Sequence, residues 1–172
     1  MPTFRLAGIV TGAVLLAAGA ALAQQPNPLD NIPDNMPFNV PYGMSIGADK
    51  AREVIAAAVT EAKHRKWPLV ICVVDGSGNL VSLERMDGAQ LGSLEIAQHK
   101  ARAAARFRRE TKIFEGAIQS GLNYLITLDG IIGSRGGIPL IEGGKLIGAI
   151  GVSGGTGSQD EVVAKAGAVI VK

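Results

Sequence analysis

Two hairpin patterns limit the fold of this chain more than any other feature of its sequence. In the first, residues 69–74 form a continuous apolar run of strand length, and residues 75–79 have the Asp-Gly-Ser-Gly-Asn composition of a turn. Residues 80–85 then alternate between two faces, as a strand with one covered side does. This spacing predicts a β-hairpin.

The second hairpin pattern comprises residues 138–141 and 145–152, which are separated by Gly143 and Gly144. A Gly-Gly pair suits a tight hairpin turn because glycine adopts positive φ without steric cost. Strands joined by such short turns pair antiparallel. The sequence therefore predicts an antiparallel sheet rather than the parallel sheet of a doubly wound nucleotide-binding fold.

Apolar residues at helical spacing predict four helices around these hairpins. They cover residues 49–66, 93–109 and 111–119, the last of which Thr111 would cap, and a final helix opened by a capping box at residues 158–161. The predicted element order is αββααββα, with an additional strand near residues 122–127. We expect an α+β domain with an antiparallel sheet of about five strands, flanked by helices.

The first 23 residues differ in composition from the rest of the chain. Arg5 is their only charge, residues 6–20 are apolar apart from threonine and glycine, and Ala21-Leu22-Ala23 matches a signal-peptidase site. A spanning helix needs about 20 apolar residues with flanking anchors. We therefore predict a cleaved signal peptide at residues 1–23, a periplasmic or secreted protein, and no membrane anchor after cleavage.

Residues 24–45 form a proline-rich stretch that contains five of the eight prolines of the chain. Because proline lacks a backbone donor and restricts its predecessor, this stretch should be extended or irregular. We predict a flexible leader in its first half and, in its second half, an arm that packs on a neighbouring subunit or another protein. The folded domain is predicted at residues 46–172.

Charge and cysteine content exclude several classes of protein. A formal net charge of +2 gives no strong field for nucleic acid, which argues against such a partner. Cys72, the only cysteine, lies within the apolar run of the first hairpin, and this position predicts a buried, unreactive thiol. The absence of a Cys-x-x-Cys-His motif excludes covalent c-type haem attachment.

The two histidines, His64 and His99, are the candidate metal or haem ligands. Neither has a second histidine or cysteine at zinc-ligand spacing. His64 falls at a predicted helix end, where cationic groups are generally favoured, so a solvated helix end is the preferred interpretation over a ligand. His99 shares a polar helical stripe with Glu95 and Arg102, and a carboxylate one turn away can fix an imidazole tautomer. No acid–base pair stands out in the sequence, so binding is favoured over catalysis.

Two glycine-rich turns are candidate anion sites. Gly136-Gly137-Ile138-Pro139 enters a predicted strand, and a second turn containing Gly154-Gly155 precedes the last helix. Glycine permits close backbone approach, and helix N-termini present unpaired N–H groups to anions. A carboxylate or haem propionate could bind there opposite Arg102 or Arg135; alternatively, these glycines serve turn geometry alone.

Several motifs together resemble those of the GlcG/HbpS-like haem-binding family, which includes the C-terminal domain of PduO-type proteins. The resemblance covers residues 46–172, and the segments that carry it are residues 73–80, 84–89, 98–102, 108–112, 136–139, 147–154 and 159–160. It implies a layered, profilin-like fold, symmetric homo-oligomers that are commonly octamers, and non-covalent binding of haem b.

Three functions remain open on this basis. The first is an exported haem-binding oligomer with a sensing, carrier or accessory role. The second is a binding protein or enzyme for small hydroxy or keto acids, in which the glycine turns and Arg102 hold the carboxylate. The third is a structural accessory subunit that docks on a larger complex through residues 24–45.

Overall fold

The computed structural model describes residues 32–36 and 38–171, and the compact folded domain begins at Met36. Its elements are α1 (Ala48–Arg65), β1 (Val70–Asp75), β2 (Leu80–Arg85), α2 (Ser93–Phe107), α3 (Lys112–Gln119), a 3-10 helix (Asn123–Thr127), β3 (Gly137–Glu142), β4 (Lys145–Ser153) and α4 (Gly157–Ala168). The α+β class, both hairpins and the order αββααββα are confirmed.

One antiparallel sheet carries both hairpins in the order β2-β1-β4-β3. The central strands β1 and β4 pair from Val70 with Ser153 to Asp75 with Gly148, which joins the hairpins into one sheet. Each hairpin carries one irregularity in its register, between Val73 and Val74 in the first and between Leu140 and Ile141 in the second.

The sheet has four strands rather than about five, because the predicted additional strand is a 3-10 helix. In that segment Leu125 donates its backbone N–H to the carbonyl of Leu122, and Leu128 donates to Leu125. These local bonds replace the partner strand that an extended segment would need. Tyr124 and Ile126 remain largely exposed, so the segment does not add to the core.

Helices cover the two faces of the sheet in different ways. Helices α1 and α4 pack on one face, where larger aliphatic side chains such as Ile71 and Ile150 form the main core. Helix α2 packs on the other face through a row of alanines against Val70, Cys72 and Val74. The short alanine side chains allow a close approach of the α2 backbone to the sheet.

The position of Gly151 in β4 shows how close this approach is. A Cβ atom added there would lie 2.0 Å from the carbonyl oxygen of Ala97 and 2.6 Å from the backbone nitrogen of Ala101. Cys72 is buried beside it, and burial raises the pKa of its thiol to about 12. The prediction of a buried, unreactive thiol is therefore confirmed.

The predicted helix caps need two corrections. Helix α4 is capped by Thr156, whose hydroxyl accepts from the Gln159 N–H, while the Gln159 side chain accepts from the Thr156 N–H at 2.8 Å. The capping box thus begins two residues before Ser158. Thr111 caps no helix with its side chain; its buried hydroxyl instead accepts the N–H of Gly137 at 3.0 Å.

Helices α1 and α2 end earlier than the sequence predicts. Their C-terminal caps are Lys66 and Arg108, which both have positive φ and close the last turn onto earlier carbonyls. A left-handed residue at this position satisfies backbone groups that the helix leaves free. The ends therefore lie one and two residues before those predicted.

The second half of the proline-rich stretch packs on its own chain. Gly43 donates to the carbonyl of Leu146 at 2.7 Å, and Leu146 donates to the carbonyl of Pro41 at 2.8 Å. Tyr42 thereby forms a parallel bridge with β4, so ordered pairing begins before the predicted domain start at Ile46. Docking of residues 24–45 on another protein stays a prediction.

The predicted signal peptide and the beginning of the leader lie outside the described residues. Among residues 32–36 and 38–171, no helix has the length and apolar character needed to cross a bilayer.

Candidate functional site

The outward side of α2 carries the polar stripe that the sequence predicts. Glu95 and Arg106 are exposed, and His99 and Arg102 are half-buried. These residues follow one another at helical spacing, while the alanines of the same helix face the sheet. The structure thus confirms that three of the predicted binding residues, Glu95, His99 and Arg102, share one helical face.

The contacts along this stripe differ from those predicted. Arg102 donates from Nη2 to the Gln98 side chain at 3.1 Å. In the described part of the chain, Glu95 makes no hydrogen bond to His99, so the proposed fixing of the imidazole tautomer is not observed. Ile96, which is 40% exposed, precedes His99 by one helical turn. The imidazole therefore has apolar surface near it as well as charge.

His64 is not brought together with His99. It is exposed in the last turn of α1 between Lys63 and Arg65, and α1 and α2 cover opposite faces of the sheet. Within the residues that the structure describes, no group of three His, Cys, Asp or Glu side chains is placed to hold a metal ion.

The two glycine turns do come together, but the space between them is filled by the protein's own side chains. The Asp160 carboxylate accepts the N–H of Gly155 at 3.0 Å through Oδ1. Its other oxygen, Oδ2, lies 2.7 Å from Nζ of Lys100. A Cβ atom on Gly136 would lie 2.8 Å from Cβ of Asp160 and 3.3 Å from the Lys100 ammonium.

This arrangement changes the interpretation of the turns. An internal carboxylate occupies the place predicted for a bound one, and the countercharge is Lys100 rather than Arg102 or Arg135. The predicted turn residues are buried (Gly136, Gly137, Ile138), half-buried (Pro139, Gly154) or exposed (Gly155). Their assignment as cofactor-binding residues stays a prediction, and the glycines serve close packing here.

The Lys100–Asp160 pair is the main feature of this region that the sequence analysis missed. Both side chains are almost wholly buried, with 2% and 3% exposure. A signal was present, since Lys100 lies among the alanines of the sheet-facing side of α2. A lysine on such a face requires a buried partner.

Arg135 belongs to a second cluster, at the start of α4. Its backbone N–H and Nε donate to the Glu115 carboxylate at 2.7 and 2.8 Å, and Nη1 lies 3.3 Å from Glu161. The hydrogen bond from Arg135 is the main reason that the pKa of Glu115 is lowered. Arg135 is thus already paired and joins α3 to α4.

Comparisons with known proteins agree with this fold. The family described as "Haem degrading protein HbpS-like" matches residues 46–169. Protein GlcG of Escherichia coli K12 is 42% identical over 103 residues, which cover 60% of this chain and 77% of GlcG.

Two solved structures are similar over most of this chain. A double mutant of Streptomyces reticuli HbpS has a TM-score of 0.70 and 27% identity, and covers 81% of this chain and 99% of its own. A PduOC:Heme complex has a TM-score of 0.67 and 28% identity, over 75% of this chain and 96% of the other. The family match, the sheet topology and the shared identity together show that this chain belongs to the HbpS-like family.

Proposed function

We propose that this chain binds haem b non-covalently on the outward face of α2. The observation that carries the proposal is the placement of the half-buried His99 between exposed apolar and cationic side chains on that face. Family membership supports it, because the family description names haem and the PduOC relative is a haem complex.

The side chains of this face fit the chemical groups of haem. Ile96 offers apolar surface for the porphyrin, and Arg102 offers a positive charge for a propionate. His99 would hold the haem iron, because histidine imidazole is a common ligand for it. When bound, the haem supplies a redox-active iron, while the α2 residues bind and orient it.

We propose further that a second copy of the chain completes the site, in a homo-oligomer such as an octamer. Two cavities in the described domain measure about 310 and 300 Å³, and His99 lines neither of them. A flat face of one chain leaves much of a porphyrin in water, whereas ligand sites generally bury most of the ligand. Leu91, 74% exposed just before α2, offers further apolar surface for such a contact.

We also propose that the protein is exported and acts as a haem sensor, carrier or accessory factor. The apolar segment that ends in Ala21-Leu22-Ala23 supports export. The protein can be collected from the periplasm or from the culture medium of a bacterial host. N-terminal sequencing of this material should find Gln24 as the first residue. An unprocessed Met1 terminus in the cytosolic fraction would contradict export.

Titration of the mature protein, residues 24–172, with hemin tests the central proposal. We expect a saturable shift of the Soret band, and complete extraction of the haem into acidified organic solvent because no covalent bond holds it. The absence of a saturable shift would overturn the proposal. Adding ascorbate in air to the loaded protein then distinguishes binding, with a stable Soret band, from degradation, with progressive loss of the band.

The small-acid function is not proposed at the glycine turns, because the Asp160 carboxylate already fills that position beside Lys100. A free acid would have to displace the buried Asp160 carboxylate from both of its partners. Breaking a buried ion pair in this way costs about 3–5 kcal/mol.

A further inference from the structure

Four arginines lie within eight residues at the C-terminal end of α2: Arg102, Arg106, Arg108 and Arg109. Within residues 32–36 and 38–171, none of them forms an ion pair with a carboxylate. By contrast, Arg52, Arg65 and Arg135 each pair with an acidic side chain. This end of the helix thus carries a concentration of positive charge that the described chain does not neutralise.

Three of these arginines are already engaged in other contacts. Arg108 lies over the Tyr42 ring at 5.3 Å and donates to the carbonyl of Val40, and Arg109 packs on the Phe114 ring. Arg102 donates to Gln98. Arg106 also donates one hydrogen bond, from Nε, but unlike these three it lines a cavity.

The cavity, of about 310 Å³, is lined by Tyr42, Gly43, Ser45, Gly76, Ser77 and Arg106. Three separate segments therefore meet at it: the ordered part of the proline-rich stretch, the β1–β2 turn and the end of α2. Its volume is at the lower end of the range for ligand pockets, so a small ligand has room to enter it.

Arg106 is held in a fixed position at the cavity wall. Its Nε donates to the carbonyl of Ser77 at 2.9 Å, and the Tyr42 hydroxyl donates to the carbonyl of Arg106 at 2.9 Å. A Cβ atom on Gly78 would lie 2.9 Å from Nε of Arg106, so only glycine leaves room for the side chain there. With Nε occupied in this way, the terminal nitrogens Nη1 and Nη2 are available to an anion.

The other polar groups of the wall favour an anion rather than a cation. The hydroxyls of Ser45 and Ser77 line the cavity and can donate hydrogen bonds. The nearby carboxylate of Asp75 accepts the N–H groups of Ser77 and Asn79 and the Asn79 side chain, so these donors already satisfy it within the turn.

From this geometry we propose that the cavity binds a small anion with a carboxylate or phosphate group. Arg106 pairs with two oxygens of the anion through Nη1 and Nη2, a geometry for which the guanidinium is well suited. Ser45 and Ser77 donate to the remaining oxygens. The site is separate from the haem face proposed above, since Arg106 lies two helical turns, about 10 Å, beyond His99.

The test uses the mature protein, with inorganic phosphate and acetate as probes at constant ionic strength set by chloride. We expect at least one of them to bind saturably at one site, with shifts of the Gly76 and Ser77 amide signals in NMR spectra. Arg106→Gln should weaken this binding at least about tenfold, and Ser77→Ala should weaken it less. Arg85→Gln is the matched control, because Arg85 also has no ion-pair partner among the described residues but does not line the cavity.

Saturable binding that Arg106→Gln weakens and Arg85→Gln spares supports the site. Absence of binding by both probes, or equal weakening by both arginine variants, would overturn it.

A parallel hemin titration separates the two proposals. If Arg106→Gln reduces hemin affinity while neither anion binds the wild type, the arginine serves haem and the anion site is wrong. Anion binding without hemin binding would instead overturn only the haem proposal.

Discussion

The inward and outward sides of α2 differ in whether their cationic side chains have a carboxylate partner. On the inward side, the single cation, Lys100, is buried and lies 2.7 Å from the Asp160 carboxylate. On the outward side, Arg102 and Arg106 have no carboxylate partner within the described domain. One helix of 15 residues thus contains both a compensated charge and uncompensated ones.

This difference separates structural residues from binding residues. A buried lysine needs its partner for the domain to fold, because an unpaired charge in the interior is strongly unfavourable. An arginine whose guanidinium reaches solvent needs no ion-pair partner for folding, and its charge remains available to a ligand. We therefore expect inward substitutions to change stability and outward substitutions to change binding.

The largest effect should come from Lys100→Met, which leaves Asp160 buried without its cation. We expect a loss of about 3–5 kcal/mol in the free energy of unfolding, measured by chemical denaturation. Arg102→Met, the same kind of change on the outward side, should cost below about 1 kcal/mol. Adding Asp160→Asn to Lys100→Met should recover much of the loss, because no buried charge then remains. A cost for Lys100→Met similar to that for Arg102→Met would contradict the comparison.

A second inward substitution, Gly151→Ala, tests the close contact of α2 with the sheet. The added methyl group would meet backbone atoms of Ala97 and Ala101, which cannot move without shifting the helix. Overpacking of this kind costs about 1–3 kcal/mol, and we expect the upper part of that range in thermal or chemical unfolding.

Gly116→Ala in α3 provides the control, because nothing lies within 4 Å of the added atom and alanine favours helix by up to about 1 kcal/mol. If Gly151→Ala were as stable as Gly116→Ala, helix α2 would not approach the sheet as closely as described.

The smallest effect on stability should come from Glu115→Gln, which removes the carboxylate partner of Arg135. The hydrogen bond from Arg135 lowers the pKa of Glu115, so the charged carboxylate stabilises the fold at neutral pH. This stabilisation is present above the unfolded pKa of about 4.3 and is lost as the pH falls through the lower folded value. The stability difference between wild type and Glu115→Gln should therefore shrink below pH ~4, and a difference independent of pH would contradict the pairing.

Periodicity predicted most of the fold, because strands and helices with one covered face show it directly in sequence. The apolar run of β1 and the alternation along β2 placed the first hairpin, the Gly143-Gly144 pair placed the second, and the alanine row of α2 placed the polar stripe. The partners of inward polar groups could not be predicted in this way. Lys100 and Asp160 are 60 residues apart, and only the assembled sheet brings them together.

The misplaced cap of α4 has a local cause. Thr156 and Ser158 both begin a pattern with Gln or Glu three residues later, and both patterns fit a capping box. The choice depends on how the chain leaves β4, where Gly154 has a φ of +141° and turns the backbone so that the helix begins at Gly157. Sequence spacing alone contains no information on that turn.

The most direct test of the account is the hemin affinity of His99→Ala compared with that of His64→Ala, measured by titration of the Soret band in the chain of residues 24–172. Both variants remove an imidazole, but only His99 lies on the outward face of α2, one turn from the exposed Ile96. We predict that His99→Ala weakens hemin binding at least about tenfold while His64→Ala retains wild-type affinity. Unchanged affinity in His99→Ala, or equal loss in both variants, would contradict the placement of haem on this face.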